Sequence, residues 1–188
     1  MIQKEKERLR KEVLAKRRRL SPVTSIQQNL EIEKKFFALP EYATAKTIAF
    51  YASKSDEVST DNLIEKSLKD GKRILLPRIM GRDLIWGEIK NMRNLEIGEF
   101  AVREPPRGAP VANLKKVSLL VVPLVVCDLE GNRLGFGSGF YDRVLSGFKG
   151  VSVGLAFDVQ VVPKVPTEEW DERVTKVLVG EGKIFAKI

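Results

Sequence analysis

The spacing of apolar positions predicts helices that alternate with short strands along the chain. Apolar residues recur at helical spacing over 3–19, 22–37 and 60–69, and a short helix is predicted to end near Leu145. Ser21-Pro22 is typical of an N-cap followed by proline in the first turn. Short apolar runs predict strands at 46–51, 73–79, 84–89, 119–126, 151–157, 174–179 and 183–187.

These elements predict an α/β fold. Most of the strands are apolar at consecutive positions, which is typical of strands covered on both faces. We therefore expect a mostly parallel sheet with helices on both faces, a Rossmann-like three-layer sandwich, formed by residues 1–188 as a single domain. The alternating strand at 84–89 is predicted to lie at an edge. Residues 91–116 are predicted to be a long surface connection, anchored by Leu95, Phe100 and Val102.

A glycine-rich segment at 133–143 follows the 119–126 strand and precedes the short helix. Glycines at 135, 137 and 139 leave backbone N–H groups uncovered, and a helix N-terminus just beyond them favours an anion. Arg133 and Arg143 supply cationic flanks, and Asp142 supplies an oxygen ligand suited to Mg²⁺. The segment predicts a site for a phosphorylated ligand, with a nucleotide as the first choice.

The glycine spacing excludes two known phosphate loops. It is Gly-x-Gly-x-Gly, which differs from the dinucleotide fingerprint, and no Gly-Lys-Ser/Thr follows at P-loop spacing. A plain glycine-rich turn at a strand end is the alternative, although such a turn needs neither the arginines nor the aspartate.

Composition narrows the chemistry. The 188 residues include no histidine, which removes imidazole acid–base catalysis, histidine-dependent triads and imidazole metal ligation. The single cysteine, Cys127, is predicted to be a small core hydrophobe. No apolar run is long enough to span a bilayer and the first residues lack a secretory core, so a cytoplasmic location is expected.

The net charge of +8 suits a polyanionic partner, whether nucleic acid, ATP or a polyglutamate tail. Much of the excess lies in the first helix, where Lys6, Arg10 and Arg17 share one stripe. For an isolated helix such a stripe is typical of a solvated cationic face.

Several segments, in order over nearly the whole chain, resemble the 5-formyltetrahydrofolate cyclo-ligase family, whose members are also called methenyltetrahydrofolate synthetases. The most specific is 133–143, which is similar to the family's Arg-Leu-Gly-x-Gly-x-Gly-Tyr-Tyr-Asp-Arg block. The shorter resemblances are Lys6…Arg10, Arg18…Ser21, Glu57-Val58, Pro77-Arg78, 156–160 and Pro166…Asp171.

The resemblance implies an activity. It is the ATP-dependent closure of 5-formyltetrahydrofolate, with or without a polyglutamate tail, to 5,10-methenyltetrahydrofolate, with release of ADP and phosphate. Mg²⁺ is the implied cofactor, and the implied enzyme is a monomer or small homo-oligomer that binds neither nucleic acid nor membrane.

The resemblance also implies roles for individual residues. Lys6, Arg133 and Asp142 are the implied catalytic residues, and Asp142 and Asp171 the implied metal ligands. ATP is implied to bind Lys6, Arg10, Arg133, Gly135, Gly137, Ser138, Gly139, Phe140 and Tyr141. The folate is implied to bind Glu57, Phe136, Gly137, Ser138, Gly139 and Phe140.

Two other functions stay open on the sequence. The basic first helix suits a nucleic-acid-binding protein, although the chain lacks an RNP-like aromatic pair, a KH loop and zinc-ligand spacing. A sugar-phosphate isomerase or transferase on a related sheet would also need a phosphate loop, but would not consume ATP.

Overall fold

The computed structural model describes residues 1–181 and 185–186. In this part of the chain the helices are α1 (Ile2–Arg18), α2 (Pro22–Phe37), α3 (Pro40–Thr44), α4 (Asp61–Lys69) and α5 (Phe140–Gly147). The strands are β1 (Thr47–Ala49), β2 (Arg73–Met80), β3 (Asp83–Ile89), β4 (Glu96–Ile97), β5 (Arg103–Glu104), β6 (Val111–Ala112), β7 (Leu119–Val122), β8 (Val126–Cys127), β9 (Arg133–Leu134), β10 (Val151–Ala156), β11 (Lys176–Val179) and β12 (Phe185–Ala186). Short 3₁₀ turns lie at Glu99–Ala101, Leu114–Lys116 and Asp158–Gln160.

The main sheet has the strand order β12-β11-β10-β7-β1-β2-β3-β6. The neighbours from β11 to β2 are parallel, whereas β3, β6 and β12 join antiparallel. This topology confirms the predicted mostly parallel sheet. The last strand predicted at 183–187 is described only at Phe185–Ala186, and its other residues lie outside the described part.

Side chains of successive strand residues enter two different cores, one on each face of the sheet. On β1, Ile48 packs in the core that contains Phe36 of α2 and Leu63 of α4. The next residue, Ala49, packs in the core that contains Leu145 of α5. Because both faces carry a helix layer, the predicted three-layer sandwich is confirmed.

The predicted start of α2 is confirmed. The Ser21 hydroxyl accepts a hydrogen bond of 3.0 Å from the backbone N–H of Thr24, and Pro22 is the first helical residue. Ser21 therefore satisfies one of the N–H groups that a helix N-terminus leaves open.

Three sequence predictions about strands and loops were wrong in detail. Strand β3 is not an edge strand, since it pairs with β2 on one side and with the two-residue β6 on the other. A strand as short as β6 leaves no apolar pattern in the sequence. The run at 119–126 divides after Val122 around Pro123, and β8 pairs with β9 in a separate two-stranded sheet. Phe100 is 64% exposed and does not anchor its loop.

Helix α1 lies outside the two main cores and packs on a third. Val13 of α1 contacts Val126, Leu134 and Val165, which places the helix over the two-stranded sheet that leads into the glycine-rich segment. None of the helices in residues 1–181 and 185–186 has the length and apolar composition needed to span a bilayer. Cys127 is fully buried, and burial raises the pKa of its thiol to about 12.

The aromatic cluster around Phe36 tests the packing of α2 on the sheet. Phe36 is fully buried and contacts the rings of Phe37, Tyr42 and Phe50. Replacement by alanine leaves a cavity, and we expect Phe36→Ala to lower the free energy of unfolding by about 3–5 kcal/mol. Urea titration followed by circular dichroism measures this. Ile26→Ala on the exposed face of α2 is the control and is expected to change it by less than about 0.5 kcal/mol.

Candidate functional site

A cavity of about 830 Å³ lies where the parallel strands end and their loops begin. Tyr51 and Glu57 follow β1, Ile79 belongs to the end of β2, and Pro123 follows β7. The carboxyl ends of strands are the usual ligand side of a parallel sheet. The site residues predicted from the sequence all line this cavity: Lys6, Arg10, Glu57, Arg133, Gly135, Phe136, Gly137, Ser138, Gly139, Phe140, Tyr141, Asp142 and Asp171.

The glycine-rich segment turns directly into α5. Gly137 and Gly139 have φ angles of 108° and 66°, in a region that side-chain-bearing residues rarely adopt. Among the described residues, no acceptor is bound by the backbone N–H groups of 136–139. These donors and the N-terminus of α5 lie at the cavity, which makes this loop suited to an anion.

An ion pair between Arg133 and Asp142 links the two ends of the glycine-rich segment. The Arg133 guanidinium donates from Nη2 to Oδ1 of Asp142 at 2.9 Å, and the backbone N–H of Glu172 donates to the same oxygen. Burial lowers the pKa of Arg133, against the attraction of Asp142. The Arg133 Nε atom is buried and has no hydrogen-bond partner in residues 1–181 and 185–186. This guanidinium therefore has an unused donor next to the cavity.

Lys6 of α1 reaches the tail loop. Its ammonium is 2% exposed and donates to Asp171 at 2.5 Å and to Glu168 at 2.8 Å. Burial alone would lower the pKa of Lys6, but the hydrogen bonds to these two carboxylates outweigh it and the pKa is raised. Arg10, one helical turn further along, donates from Nε to the carbonyl of Gly135 at 2.8 Å. Of the cations of α1, Lys6 thus lies at the tail loop and Arg10 at the glycine-rich segment.

Asp142 and Asp171 are the candidate metal ligands in this cavity. Asp142 and Asp171 each use one oxygen in an ion pair, which leaves the second oxygen of each without a bond to the described residues. No group of three or more acidic or thiol side chains able to hold a metal ion occurs in residues 1–181 and 185–186. Two carboxylates fit Mg²⁺, which completes its shell with phosphate oxygens and water, and do not fit a site made of protein ligands alone.

Glu57 and Phe136 form another part of the cavity wall. The Glu57 carboxylate accepts a hydrogen bond of 2.9 Å from the backbone N–H of Lys54. Burial raises the pKa of Glu57, although Arg17 and Lys54 act in the opposite direction. The Phe136 ring is 53% exposed. An acceptor carboxylate beside an exposed ring suits a flat heteroaromatic group that carries N–H donors.

Tyr141 also lines the cavity. Its ring contacts Trp86 edge-on, and its hydroxyl is buried without a hydrogen-bond partner among the described residues. Burial raises the pKa of this hydroxyl well above its usual value, so it stays protonated and can donate.

Comparisons with known proteins agree with this geometry. The model of the 5-formyltetrahydrofolate cyclo-ligase family matches residues 2–180. The chain is 33% identical to the 5-formyltetrahydrofolate cyclo-ligase of Escherichia coli K12 over 163 residues, which cover 83% of this chain and 90% of that one. It is 32% identical to the Haemophilus influenzae protein of the same name over 187 residues, covering 96% and 100%.

A solved structure is also similar. The NMR structure of Aquifex aeolicus 5,10-methenyltetrahydrofolate synthetase superposes with a TM-score of 0.86 at 33% identity, covering 96% of this chain and 92% of that one. The chain belongs to the 5-formyltetrahydrofolate cyclo-ligase family. The resemblance stated from the sequence is therefore confirmed.

Arg17 is buried next to this cyclo-ligase-family site, whereas a solvated face was expected for it. Its side chain is 1% exposed and donates to Asp56 at 2.8 Å. The resemblance given as Arg18…Ser21 has the spacing Arg-x-x-Leu-Ser, which in this chain begins at Arg17. That spacing singles out Arg17 but does not predict its burial, because Asp56 lies far away in the chain. Because Lys6 and Arg17 are buried in ion pairs, they are not free for the nucleic-acid contacts of the alternative function.

Arg78 and Asp158, which lie at or after strand ends, are not part of the cavity wall, whereas Arg143 is. Arg78 donates to the Pro105 carbonyl and pairs with Glu96. Asp158, after β10, bonds to Gln28 of α2. The Arg143 guanidinium donates to the carbonyls of Ser138 and Arg82. Residues that do line the cavity without having been predicted as site residues include Tyr51, Lys54, Phe100 and Glu104.

The raised pKa of Glu57 leads to a prediction about stability that can be tested without a ligand. Its raised pKa means that protonation stabilises the fold: this contribution is full below pH 4.5 and is lost as the pH rises through the folded-state pKa. We expect Glu57→Gln to raise the melting temperature at pH 7, by roughly 2–4 °C for each kcal/mol of stability gained. The gain is expected to vanish near pH 4.5. Calorimetry over this range measures it, and equal gains at both pH values would contradict the assignment.

Proposed function

We propose that the protein catalyses the ATP-dependent conversion of 5-formyltetrahydrofolate to 5,10-methenyltetrahydrofolate, releasing ADP and phosphate. The single observation that carries the proposal is the meeting of three features in one cavity: unbonded loop N–H groups, the Lys6–Asp171 and Arg133–Asp142 pairs, and the buried Glu57 carboxyl. Membership of the 5-formyltetrahydrofolate cyclo-ligase family supports this reaction.

The chemical difficulty of this reaction is the formyl oxygen, which is a poor leaving group. In the proposed mechanism this oxygen forms a bond to the terminal phosphorus of ATP while the bond to ADP breaks. The N10 lone pair of the folate then attacks the activated carbon. Phosphate departs with the oxygen, and the N10 proton passes to solvent. Phosphoryl transfer requires positioning and charge stabilisation more than a protein acid or base, so a chain without histidine suits it.

The phosphate chain is proposed to lie against the glycine-rich segment. Gly135, Gly137, Ser138 and Gly139 would donate backbone N–H groups to its oxygens, with Phe140 and Tyr141 beginning the helix beyond them. Lys6, Arg10 and Arg133 would supply positive charge to the same oxygens. Arg133 supports this role because its Nε has no partner among the described residues.

Asp142 and Asp171 are the proposed Mg²⁺ ligands. Mg²⁺ bound by these carboxylates and by phosphate oxygens would neutralise the charge that develops during transfer. The two aspartates are held for this by Arg133 and Lys6, whose positive charges keep the carboxylates close in the absence of nucleotide.

The folate is proposed to bind at Glu57 and Phe136, next to the glycine-rich segment. Glu57 would accept hydrogen bonds from the pterin N–H groups, and the exposed Phe136 ring would cover part of the pterin. A polyglutamate tail remains compatible with the positive net charge. We retain the cytoplasm as the proposed location.

The deciding experiment mixes the purified protein with MgATP and 5-formyltetrahydrofolate and follows the absorbance band of the methenyl product. ADP release is measured in parallel. We expect both products in equal amounts. ADP release without the methenyl band, or no turnover at all, would overturn the proposal.

Gly137→Val tests the phosphate loop. Valine is strained at a φ of 108°, so the loop N–H groups would be redirected, and we expect turnover to fall about 100-fold or more. Gly108→Val is the matched control, because Gly108 has open space around it and no positive φ. The measurement is kcat and the KM for ATP in both variants. Normal turnover in Gly137→Val would remove the loop from the mechanism.

Asp142→Asn tests the proposed metal ligand with little change of shape. The amide oxygen can still accept from Arg133, whereas the negative charge is lost. We expect a drop in kcat of about 100-fold and a higher Mg²⁺ requirement. Asp83→Asn, at a carboxylate whose side chain is 75% exposed, serves as the control. An unchanged Mg²⁺ dependence in Asp142→Asn would argue that the metal binds elsewhere.

A further inference from the structure

Arg17, in the last turn of α1, is buried with most of its hydrogen-bonding capacity unused. Its Nη2 donates to Asp56 at 2.8 Å, but Nε and Nη1 are buried and bond to nothing in residues 1–181 and 185–186. A guanidinium removed from water with so few partners is costly. Asp56 is a modest partner because it is itself a third exposed. The ion pair with Asp56 is therefore a poor explanation for the burial of Arg17.

The Arg17 guanidinium lies near the Phe136 ring and acts electrostatically on the Glu57 carboxyl, two groups of the cavity wall. The guanidinium carbon lies 5.9 Å from the centre of the Phe136 ring, and the Lys54 ammonium lies 5.6 Å from the same centre. Two cations near one phenyl ring attract it and limit its rotation. Phe136 lines the cavity whereas Arg17 does not, so Arg17 can influence a ligand there only through other residues.

The second group is the Glu57 carboxyl, which follows Asp56 in the chain. Burial disfavours the ionised form of Glu57 and raises its pKa, while the positive charges of Arg17 and Lys54 oppose this shift. The negative charge of Asp56 adds to it. The titratable and charged groups that face Glu57 come from α1, the loop after β1, and α5: Arg17, Tyr51, Lys54, Asp56 and Tyr141.

We propose that Arg17 is a positioning residue that holds the Glu57 carboxylate charged and the Phe136 ring in place for the folate. The proposal rests on the function proposed above, since it concerns the binding of the same substrate in the same cavity. Arg17 touches neither ATP nor the reacting atoms. Through Arg17, the part of the cavity that is proposed to bind the folate depends on the packing of α1.

The experiment compares four variants. Arg17→Met removes the charge and keeps an unbranched side chain, whereas Arg17→Lys keeps the charge. Arg18→Met removes a charge from the neighbouring exposed position of α1. Asp56→Asn removes the hydrogen-bonded partner but leaves the Arg17 charge free to act on Glu57. The Glu57 carboxyl is titrated directly by NMR of protein with ¹³C-labelled glutamate, with Glu57→Gln identifying its signal.

For Arg17→Met we expect the Glu57 titration midpoint to rise by roughly one pH unit. The acid limb of kcat/KM for the folate is expected to rise with it, because that limb reports groups of the free enzyme. The KM for 5-formyltetrahydrofolate is expected to increase about tenfold, with the KM for ATP changed less than about twofold. Arg17→Lys is expected to restore most of the affinity, and Arg18→Met to behave like the unmodified protein.

Asp56→Asn separates this role from a structural one. If Arg17 acts on Glu57, removal of Asp56 leaves the Glu57 midpoint unchanged or lowers it, opposite to Arg17→Met. If Arg17 only ties α1 to the loop, both variants raise the folate KM in the same way, which overturns the proposal. An unmoved Glu57 midpoint in Arg17→Met overturns it as well. If Arg17→Met does not fold, an upward shift in Asp56→Asn overturns the proposal and a downward or absent shift supports it.

Failure of the enzyme assignment gives a different result. If the unmodified protein forms no methenyl product, the proposed function is wrong, yet the NMR titration still measures whether Arg17 controls the charge of Glu57. If the unmodified protein is active and the Arg17 variants match Arg18→Met, only the role of Arg17 is wrong.

Discussion

The arrangement of the site depends on the burial of positive charges from α1 against carboxylates from distant loops. A cation removed from water is costly without partners, and Lys6 is buried where Asp171 and Glu168 lie. Arg17 is buried beside Asp56, which satisfies only one of its nitrogens in the described part of the chain. The apolar contacts of α1 are few and centre on Val13. Ion pairing therefore fixes the position of the helix, and it also fixes the tail loop and the loop after β1, both of which contribute to the cavity wall.

This pairing has a consequence for the binding of a triphosphate. Lys6 and Arg133 are paired with Asp171, Glu168 and Asp142, and Arg10 donates to the neutral carbonyl of Gly135. These three cations and three carboxylates together carry no net charge, so the side chains offer an anion little net attraction. The loop N–H groups and the start of α5 would supply attraction, and a divalent cation would supply the rest. On this argument Mg²⁺ would contribute to nucleotide binding as well as to the proposed transfer step.

The sequence predicted the elements that are local in character. The spacing of apolar residues predicts the layer architecture. The glycines at 137 and 139 indicate a backbone with positive φ, which the structure has at both positions. Burial of Arg17 and the pairing of β3 with β6 could not be predicted from local pattern, because each depends on a partner far away in the chain. The predicted site residues share one cavity, but their roles depend on ligand contacts that the fold alone does not supply.

Four of the six buried side-chain atoms without a hydrogen-bond partner in the described part of the chain lie at or next to this cavity: the Tyr141 hydroxyl, the Arg133 Nε and two nitrogens of Arg17. Glu57 adds a carboxyl whose charge burial disfavours. Each of these groups lowers the stability of the fold, a cost that a core with only a structural role would avoid. Tyr141, Arg133 and Glu57 line the cavity, and the Arg17 guanidinium carbon lies 5.9 Å from the centre of the Phe136 ring. A polar, partly aromatic ligand in this cavity could satisfy these donors, and relief of their cost would then contribute part of the free energy of binding.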